Sequence, residues 1–154
     1  MPPPTDDLVR EFLAARKRGT RYRWIRANHP DFAEARSYLR VDNKPKLDGM
    51  LVLIASRFSI PPKYSFSIIF QSSRIMALDV EPRRSHRNVL TGLSVAGTHW
   101  HLWPSMDAVP DNREFIHPHW FYEFARRSNI SYPYRYKKPP AGEQPNIPGL
   151  FEEN

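Results

Sequence analysis

Apolar and polar residues alternate along several stretches of this 154-residue chain. Alternation predicts a β-strand with one buried face, because side chains two positions apart in a strand lie on the same side. The segments 65–70 and 74–80 alternate on either side of Ser72-Ser73, which predicts an antiparallel hairpin. A further strand is predicted over Thr98–Trp103, and the apolar run 51–55 is typical of a buried strand.

Two segments instead have the spacing of an amphipathic helix. In the first, residues 5–18, Thr5 is a suitable N-cap and Gly19 is a suitable residue to follow the last turn. The apolar stripe of this helix consists of Leu8, Val9, Phe12 and Leu13. The second helix is predicted to have Pro118 at its first position and to run to about Ser128, with an aromatic face towards the core.

Three other segments are less regular. Arg21–Arg26 alternates basic residues with aromatic or aliphatic ones, as in a half-exposed strand. The segment after Pro30 is compatible with a short helix through Leu39 or with a strand over Ser37–Val41. Residues 81–96 are basic and are expected to form a long irregular loop.

The order of these elements predicts an α+β fold. Closely spaced strands favour antiparallel pairing, so we expect an antiparallel sheet of about four to five strands flanked by an N-terminal and a C-terminal helix. Residues 1–130 are expected to form a single domain, since this length suffices to bury a core. Residues 131–154 are rich in Pro, Tyr and Lys and are expected to form an extended or disordered tail.

Composition narrows the class of protein. The chain contains no cysteine, which excludes a disulfide framework, a thiolate zinc site and a cysteine nucleophile. It has no apolar run of about 18 residues, and its first residues are polar, so we expect neither a membrane span nor a secretory signal. These observations predict a cytoplasmic protein without a membrane partner and leave its oligomeric state open.

The charge of the chain indicates the kind of partner. The formal net charge is +7, which favours an anionic partner, either nucleic acid or an acidic protein. Basic and aromatic residues interleave at 21–26 and at 132–138, a pattern typical of single-strand binding through phosphate contacts and base stacking. RNA is therefore the favoured partner. The residues expected to contact it are Arg21, Arg23, Arg26, Arg84, Tyr134, Arg135, Tyr136 and Lys137.

His99 and His101 are the main candidates for chemistry. In a strand over Thr98–Trp103 they share one face, while Trp100 and Leu102 share the other face and point into the core. Two imidazoles about 6.5–7 Å apart along a strand suit acid–base chemistry, metal binding or structural hydrogen bonds. The pattern leaves these three uses open.

The favoured use is metal-independent cleavage of RNA, as in a ribonuclease of toxin or defence type. Such cleavage needs a base for the attacking hydroxyl, an acid for the leaving oxygen and a cation for the charge that develops on phosphate. One of His99 and His101 is expected to be the general base, and the other, or His86, the general acid. Arg87 or Arg84 is expected to stabilise the phosphate.

A metal-dependent hydrolase is an alternative use of the same pair, because His-x-His on a strand is a common pair of ligands. The other candidate ligands are His86, Asp107, His117 and His119, with Asp79 and Glu81 as a second pair on one face. The arginines around His86 disfavour a dication there, so the prediction is a site without metal or cofactor. His117 and His119 are expected instead to open the second helix.

A further alternative is a non-enzymatic module that inhibits by binding nucleic acid or an acidic protein. In that case the basic patches and the tyrosine-rich tail supply the contacts, and the histidines are structural. This interpretation predicts that loss of Tyr134, Arg135 and Tyr136 abolishes function, whereas loss of both His99 and His101 is tolerated.

One local pattern resembles other proteins. His86-Arg87-Asn88, followed by Gly97-Thr98-His99-x-His101, is similar to a pattern in small bacterial and phage proteins of unknown function. The resemblance covers about 20 of the 154 residues. It implies a mobile-element or defence-related setting and carries no activity over to this chain.

Overall fold

A computed structural model of the chain describes residues 2–28, 31–56, 63–81, 85–87 and 94–140, with the backbone alone for 85–87 and 94–96. Two helices and eleven strands follow each other in this part of the chain. Their bounds are α1 (Asp6–Ala14), β1 (Lys17–Gly19), β2 (Ile25–Arg26), β3 (Phe32–Val41), β4 (Asp48–Ser56), β5 (Tyr64–Phe70), β6 (Ser73–Val80), β7 (Ser85–Arg87), β8 (Ser94–Ala96), β9 (His99–Leu102), β10 (Ala108–Pro110), α2 (His117–Arg127) and β11 (Ile130–Ser131).

Nine of these strands form one sheet in the order β10-β9-β6-β5-β4-β3-β1-β11, with β2 paired to β3. Neighbours in the sheet are antiparallel, except that β11 runs parallel to β1. The α+β class is confirmed, whereas the expected size of four to five strands was too small. The additional strands are β3, which the sequence left between helix and strand, and the short strands towards the two ends of the sheet.

β3 shows why its sequence was ambiguous. Alanine, glutamate and arginine favour helices, and they make up residues 33–36. The buried positions of the strand nevertheless alternate, at Ala33, Ala35, Ser37 and Leu39. Because most of these inward residues are small, a hydrophobicity pattern does not display the alternation. Pairing with the full length of β4 decides the conformation.

The predicted hairpin is confirmed as β5 and β6. Its two turn residues are Gln71 and Ser72, both with positive φ (48° and 65°), as a tight hairpin turn requires. The turn thus lies one residue before the predicted position. The strands predicted over 51–55 and over Thr98–Trp103 are confirmed within β4 and β9.

α1 begins as predicted but ends at Ala14 instead of residue 18. The hydroxyl of Thr5 accepts a hydrogen bond from the amide of Leu8 at 3.3 Å, which is the expected N-cap contact. The helix ends early because the buried side chain of Lys17 turns back and satisfies the last carbonyls. Lys17 Nζ donates to the carbonyls of Phe12, Leu13 and Ala15 at 2.8, 3.0 and 2.8 Å.

The two helices pack on the same face of the sheet. α2 begins at His117, one residue before the predicted start at Pro118, and its Phe124 stacks on Trp100 with ring centroids 5.8 Å apart. On α1, Phe12 stacks on Phe70 at 4.4 Å. The helices do not flank the sheet at the two chain ends as expected, because β11 and a tyrosine-rich segment follow α2. No helix among the described residues is long and apolar enough to span a membrane.

Three further segments differ from their predictions or extend them. Only Ile25–Arg26 of the predicted strand 21–26 pairs as a strand. Within the predicted loop 81–96, β7 and β8 pair with each other. Residues 132–140 of the predicted tail lie against the core through half-buried tyrosines, while 141–154 lie outside the described residues.

The two faces of the sheet differ in character. The core face includes a row of cross-strand partners, Phe66, Leu78 and Trp100, on β5, β6 and β9. One position along the same strands, a second row of partners lies on the opposite face. This second row consists of Ser65, Asp79 and His99.

Candidate functional site

Asp79, His99 and His101 meet on the face of the sheet opposite the helices. β6 and β9 are antiparallel neighbours, in a register that places Asp79 opposite His99 and Ala77 opposite His101. Both histidines lie on the same face as Asp79, because side chains alternate along β9. The two imidazole centroids are 4.9 Å apart, with an interplanar angle of 85°. Strand pairing thus adds a carboxylate to the predicted pair of histidines.

Both histidines are held through Nδ1. Nδ1 of His99 donates to the carbonyl of Gly97 at 2.7 Å, and Nδ1 of His101 donates to the carbonyl of Met106 at 2.7 Å. Because a carbonyl oxygen only accepts, each Nδ1 carries a proton. In the neutral form of each ring, the lone pair is therefore on Nε2.

Both Nε2 atoms face one oxygen of Asp79. Oδ2 lies 3.1 Å from Nε2 of His101 and 3.3 Å from Nε2 of His99. Oδ1 accepts from the hydroxyl of Ser65 at 2.9 Å, and a guanidinium nitrogen of Arg74 lies 3.8 Å from Oδ2. A lone pair on Nε2 would repel the carboxylate at this distance. The arrangement is therefore stable only with a cation between the ring and the carboxylate, either a proton or a metal ion.

These contacts shift the pKa values of Asp79 and His99. Burial alone raises the pKa of Asp79, but the contacts with His101, His99 and Ser65, with Arg74 nearby, lower this pKa well below its ordinary value. Burial alone lowers the pKa of His99, but contact with the Asp79 carboxylate outweighs burial, so the pKa of His99 is raised. At neutral pH, Asp79 is therefore an anion that favours a cation at the imidazoles.

The cluster is enclosed except on the side of its carboxylate. His99 is 1% exposed and His101 is 4% exposed. The side chain of Asp79 is 18% exposed, and that of Arg74 beside it is 44% exposed. A solvent molecule or a small anionic group therefore approaches the cluster along Asp79 and Arg74.

The ligand atoms of the cluster have the spacing of metal ligands. One atom from each of Asp79, His99 and His101 lies within 4.8 Å of the others, and no other such group occurs in the described part of the chain. Two ligands of a tetrahedral zinc ion are about 3.3 Å apart, which matches the Nε2–Oδ2 distances of 3.1 and 3.3 Å. Metal-bound histidines also commonly donate Nδ1–H to a backbone carbonyl, which fixes the tautomer and the ring orientation.

The structure describes only some of the residues predicted to act with His99 and His101. His86 and Arg87 lie in β7, whose partner β8 lies close to β10, so this hairpin is at the same end of the sheet as the cluster. Arg84 lies outside the described residues. Asp107 lies between β9 and β10 and is not a member of the ligand group.

The two histidines of the second helix are engaged elsewhere. His117 stacks on Tyr64 with centroids 3.4 Å apart, and its Nε2 lies 2.5 Å from the hydroxyl of Tyr136. Burial lowers the pKa of His117 to about 4. His119 stacks on Phe115 at 4.0 Å. Both lie in the first turn of α2, which confirms the expectation that they open this helix.

Apart from Arg84, the residues predicted to contact nucleic acid lie in two segments that are separate from the cluster. Arg21, Arg23 and Arg26 follow β1, and the segment 134–137 follows β11. β1 and β11 are neighbours at the end of the sheet opposite β9 and β10. The cations of both segments are exposed, while Tyr134 and Tyr136 are half-buried.

Sequence reasoning missed the groups that position the cluster. Ser65 and Arg74 contact Asp79 from β5 and β6, and nothing in their sequence context distinguishes them from other strand residues. The carbonyls that hold the histidines belong to Gly97 and Met106, which have φ values of +81° and +58°. The glycine was a usable signal, because it adopts this conformation without strain. A methionine with positive φ has no such signature.

No family model, curated protein or solved structure matches this chain. The resemblance of residues 86–101 to small bacterial and phage proteins therefore stays a prediction. Function is inferred from the geometry and charge of the residues themselves.

Proposed function

We propose that this protein is a metal-dependent hydrolase of phosphodiester bonds in nucleic acid, with Asp79, His99 and His101 as the metal ligands. One observation carries the proposal. Two imidazole Nε2 atoms converge on one carboxylate oxygen at 3.1 and 3.3 Å, while both Nδ1 atoms are bound to backbone carbonyls. This geometry orients three ligands towards a common point and exposes no second nitrogen of either ring for another task.

Two histidines and one carboxylate leave at least one coordination position for water. This ligand set is typical of catalytic zinc sites and of non-haem iron sites. Hydrolysis is the simpler assignment, because it needs no oxidant or reductant beside substrate and water. A metal ion held by these three residues would lower the pKa of a bound water and would supply hydroxide near neutral pH.

Arg74 favours an anionic substrate. In phosphodiester hydrolysis the water oxygen bonds to phosphorus, one P–O bond breaks, and the departing oxygen takes up a proton. Negative charge grows on the phosphate oxygens in the transition state, where a nearby cation stabilises it. The guanidinium of Arg74 lies 3.8 Å from Asp79 Oδ2 on the open side of the cluster. The net charge of +7 also supports a polyanionic substrate such as RNA.

Metal content and cleavage of single-stranded RNA test the proposal together. Protein loaded with Zn²⁺ or Mn²⁺ and then freed of excess metal is expected to retain a stoichiometric ion and to lose cleavage in EDTA. His101→Gln removes one ligand and is expected to lose both the ion and cleavage. His119→Gln is the matched control, because His119 stacks on Phe115 and lies outside the ligand group.

Two results would overturn the proposal. Cleavage that persists in EDTA and in His101→Gln excludes metal at this site as the source of activity. A retained ion without cleavage of RNA or DNA excludes the hydrolase and leaves a metal-binding protein.

A metal-independent ribonuclease, the first prediction from the sequence, is the second candidate. The raised pKa of His99 beside Asp79 favours it, because a general acid must keep its proton at neutral pH. The same contacts oppose it, since proton transfer to a substrate requires one of the ring nitrogens to leave its present partner. Cleavage that is insensitive to EDTA and lost in a His99→Ala/His101→Ala double variant would identify this mechanism.

A further inference from the structure

A second surface lies on the side of the sheet that carries α2, opposite the face that carries the Asp79 cluster. Two segments, 20–27 and 132–138, lie side by side there. The indole of Trp24 donates to the carbonyl of Lys137 at 2.8 Å, and the amide of Lys137 donates to the hydroxyl of Tyr22 at 2.9 Å. Residues far apart in the sequence are thus joined into one surface.

Aromatic rings fasten this surface to the core. Tyr136 stacks on Phe121 of α2 with centroids 4.2 Å apart. Tyr22 and Tyr132 meet edge to face at 6.2 Å, and both belong to the core or pack against it. These tyrosines are anchors, so the positions of the residues between them are set by packing. Tyr136 was predicted to contact nucleic acid, but its ring packs on Phe121 and serves as one of these anchors.

The cations between the anchors point outward. Arg21, Arg23, Arg26, Arg135, Lys137 and Lys138 are all exposed, and we call this set the basic strip. Neither of the two segments contains an acidic residue. The nearby basic region at the end of α1 differs, because Arg18 pairs with Asp42 at 3.0 Å. The basic strip is therefore the stronger attractor for a polyanion.

We infer that the basic strip binds the backbone of a single-stranded nucleic acid, at a site separate from the Asp79 cluster. Clustered exposed cations suit a chain of phosphates. A single strand fits better than a duplex because aromatic surface lies among the cations: the guanidinium of Arg21 lies over the Tyr134 ring at 5.2 Å. These two residues also line a small depression at the surface, next to which an unpaired base can stack.

The strip and the cluster are separate surfaces. The first segment of the strip follows β1, which is five positions from β9 in the sheet order, so about 24 Å of sheet separates these two strands. The second segment reaches nearer to β6, because Tyr136 contacts His117, which stacks on Tyr64 of β5. The anchors also place the strip on the side of the sheet that carries α2, whereas the cluster is on the other side. The strip therefore supplies affinity for long strands and does not contact the reacting bond. This inference rests on the proposed function only in taking nucleic acid as the substrate.

Binding of a labelled oligonucleotide tests the strip without requiring cleavage. Fluorescence anisotropy of a fluorescein-labelled 20-nucleotide oligouridylate is measured in EDTA, which removes metal-dependent turnover. The strip variant is Arg21→Gln/Arg23→Gln/Arg135→Gln. The control is Arg10→Gln/Arg40→Gln/Lys46→Gln, which removes the same charge from exposed positions elsewhere. Circular dichroism checks that both variants are folded.

The expected loss follows from counterion release. Each phosphate contact on a single strand contributes about 0.7 to the slope of log affinity against log salt. Three lost contacts lower this slope by about 2 and the affinity by about 50-fold at about 0.15 M salt. The control variant is expected to lose less than about 5-fold, through net charge alone.

Each alternative result overturns a specific part of the inference. Unchanged binding in the strip variant, or equal losses in strip and control variants, removes the strip as the binding site. Tighter binding of an RNA duplex excludes the single strand, and tighter binding of polyglutamate identifies an acidic protein as the partner. His101→Gln separates this inference from the proposed hydrolase. It is expected to bind the oligonucleotide like the wild type while losing metal and cleavage, and a folded His101→Gln that fails to bind contradicts two separate sites.

Discussion

Replacing Asp79 by Asn removes the charge on which the cluster depends and keeps the shape of the side chain. In the wild-type protein the carboxylate faces two ring nitrogens at 3.1 and 3.3 Å and accepts a hydrogen bond from Ser65 at 2.9 Å. The amide leaves an imidazolium enclosed without its counter-ion. Breaking one side of a buried ion pair costs about 3–5 kcal/mol. Because Asp79 is partly exposed, we expect the lower end, about 3 kcal/mol, at pH 5.5.

The cost of Asp79→Asn is expected to depend on pH. The pKa of His99 is raised in the folded protein, so its contribution to stability is complete below the ordinary pKa of a histidine and is lost as pH rises through the raised value. The pKa of Asp79 is lowered, so its own contribution is lost only in acid, as pH falls below the ordinary carboxyl range. The free-energy difference between wild type and variant is therefore largest near pH 5.5 and decreases as the pH rises through the raised pKa of His99, so it is smaller at pH 9.

Urea unfolding, followed by tryptophan fluorescence in EDTA at both pH values, measures this difference. Asp42→Asn is the matched control, because it removes the same charge from an exposed ion pair in which Arg18 lies 3.0 Å from Asp42. Such a pair is worth less than about 1 kcal/mol at either pH. A cost of Asp79→Asn that is equal at both pH values, or no larger than that of Asp42→Asn at pH 5.5, refutes the charge arrangement described for the cluster.

Two predictions concern the framework that carries the site. Lys17→Met removes three hydrogen bonds to helix carbonyls and is expected to cost about 2–4 kcal/mol at pH 7 in urea unfolding. Burial lowers the pKa of Lys17 to about 8, so the unfolded chain binds more protons above that pH. The difference in free energy of unfolding between the wild type and Lys17→Met should therefore grow by about 1.5 kcal/mol between pH 7 and 9.3. A difference that shrinks over this range contradicts the lowered pKa. Gly49→Ala places a methyl group 2.7 Å from the Phe12 ring and 2.9 Å from the carbonyl of Ile69, with an expected cost of about 1–3 kcal/mol. Gly97→Ala is the control, because the new methyl group meets no atom within 4 Å and should cost only about 1–2 kcal/mol of backbone strain. Thermal unfolding of both variants measures the two losses of stability. A larger loss for Gly97→Ala than for Gly49→Ala argues against steric crowding at Gly49.

The alternation of apolar and polar residues predicts β6 and β9, the strands that carry the cluster. Trp100 between His99 and His101 indicates one buried face and one face with both histidines, and β9 has this arrangement. Alternation does not indicate which strand lies beside which. Asp79 therefore appeared in the sequence only as one of several possible ligands, although it is the residue that draws both imidazoles together.

Other features depend on contacts that no local pattern contains. A lysine is rarely buried without partners, so the sequence predicts the basic run 16–18 in the last turn of the amphipathic helix 5–18. Lys17 is buried because three carbonyls at the end of α1 accept its protons. The sequence likewise predicts a tail that includes the tyrosines at 132–136. Their partners, Phe121 of α2 and the carbonyl of Gly19 in β1, lie outside this segment, so no local pattern reveals them. In both cases long-range contacts outweigh local composition.

The chemistry of the Asp79 cluster depends on the register between β6 and β9, and this register depends on packing in the core. A shift of one residue between β6 and β9 would turn either the histidines or Asp79 to the other face. The core face opposes such a shift, because Leu78 pairs with Trp100 and the Trp100 ring stacks on Phe124 at 5.8 Å. The Trp100 indole also donates to the carboxylate of Asp111 at 2.9 Å, which ties it to the segment after β10. Slippage would give up these contacts together, so the aromatic core fixes the meeting of the carboxylate and the two imidazoles on the opposite face.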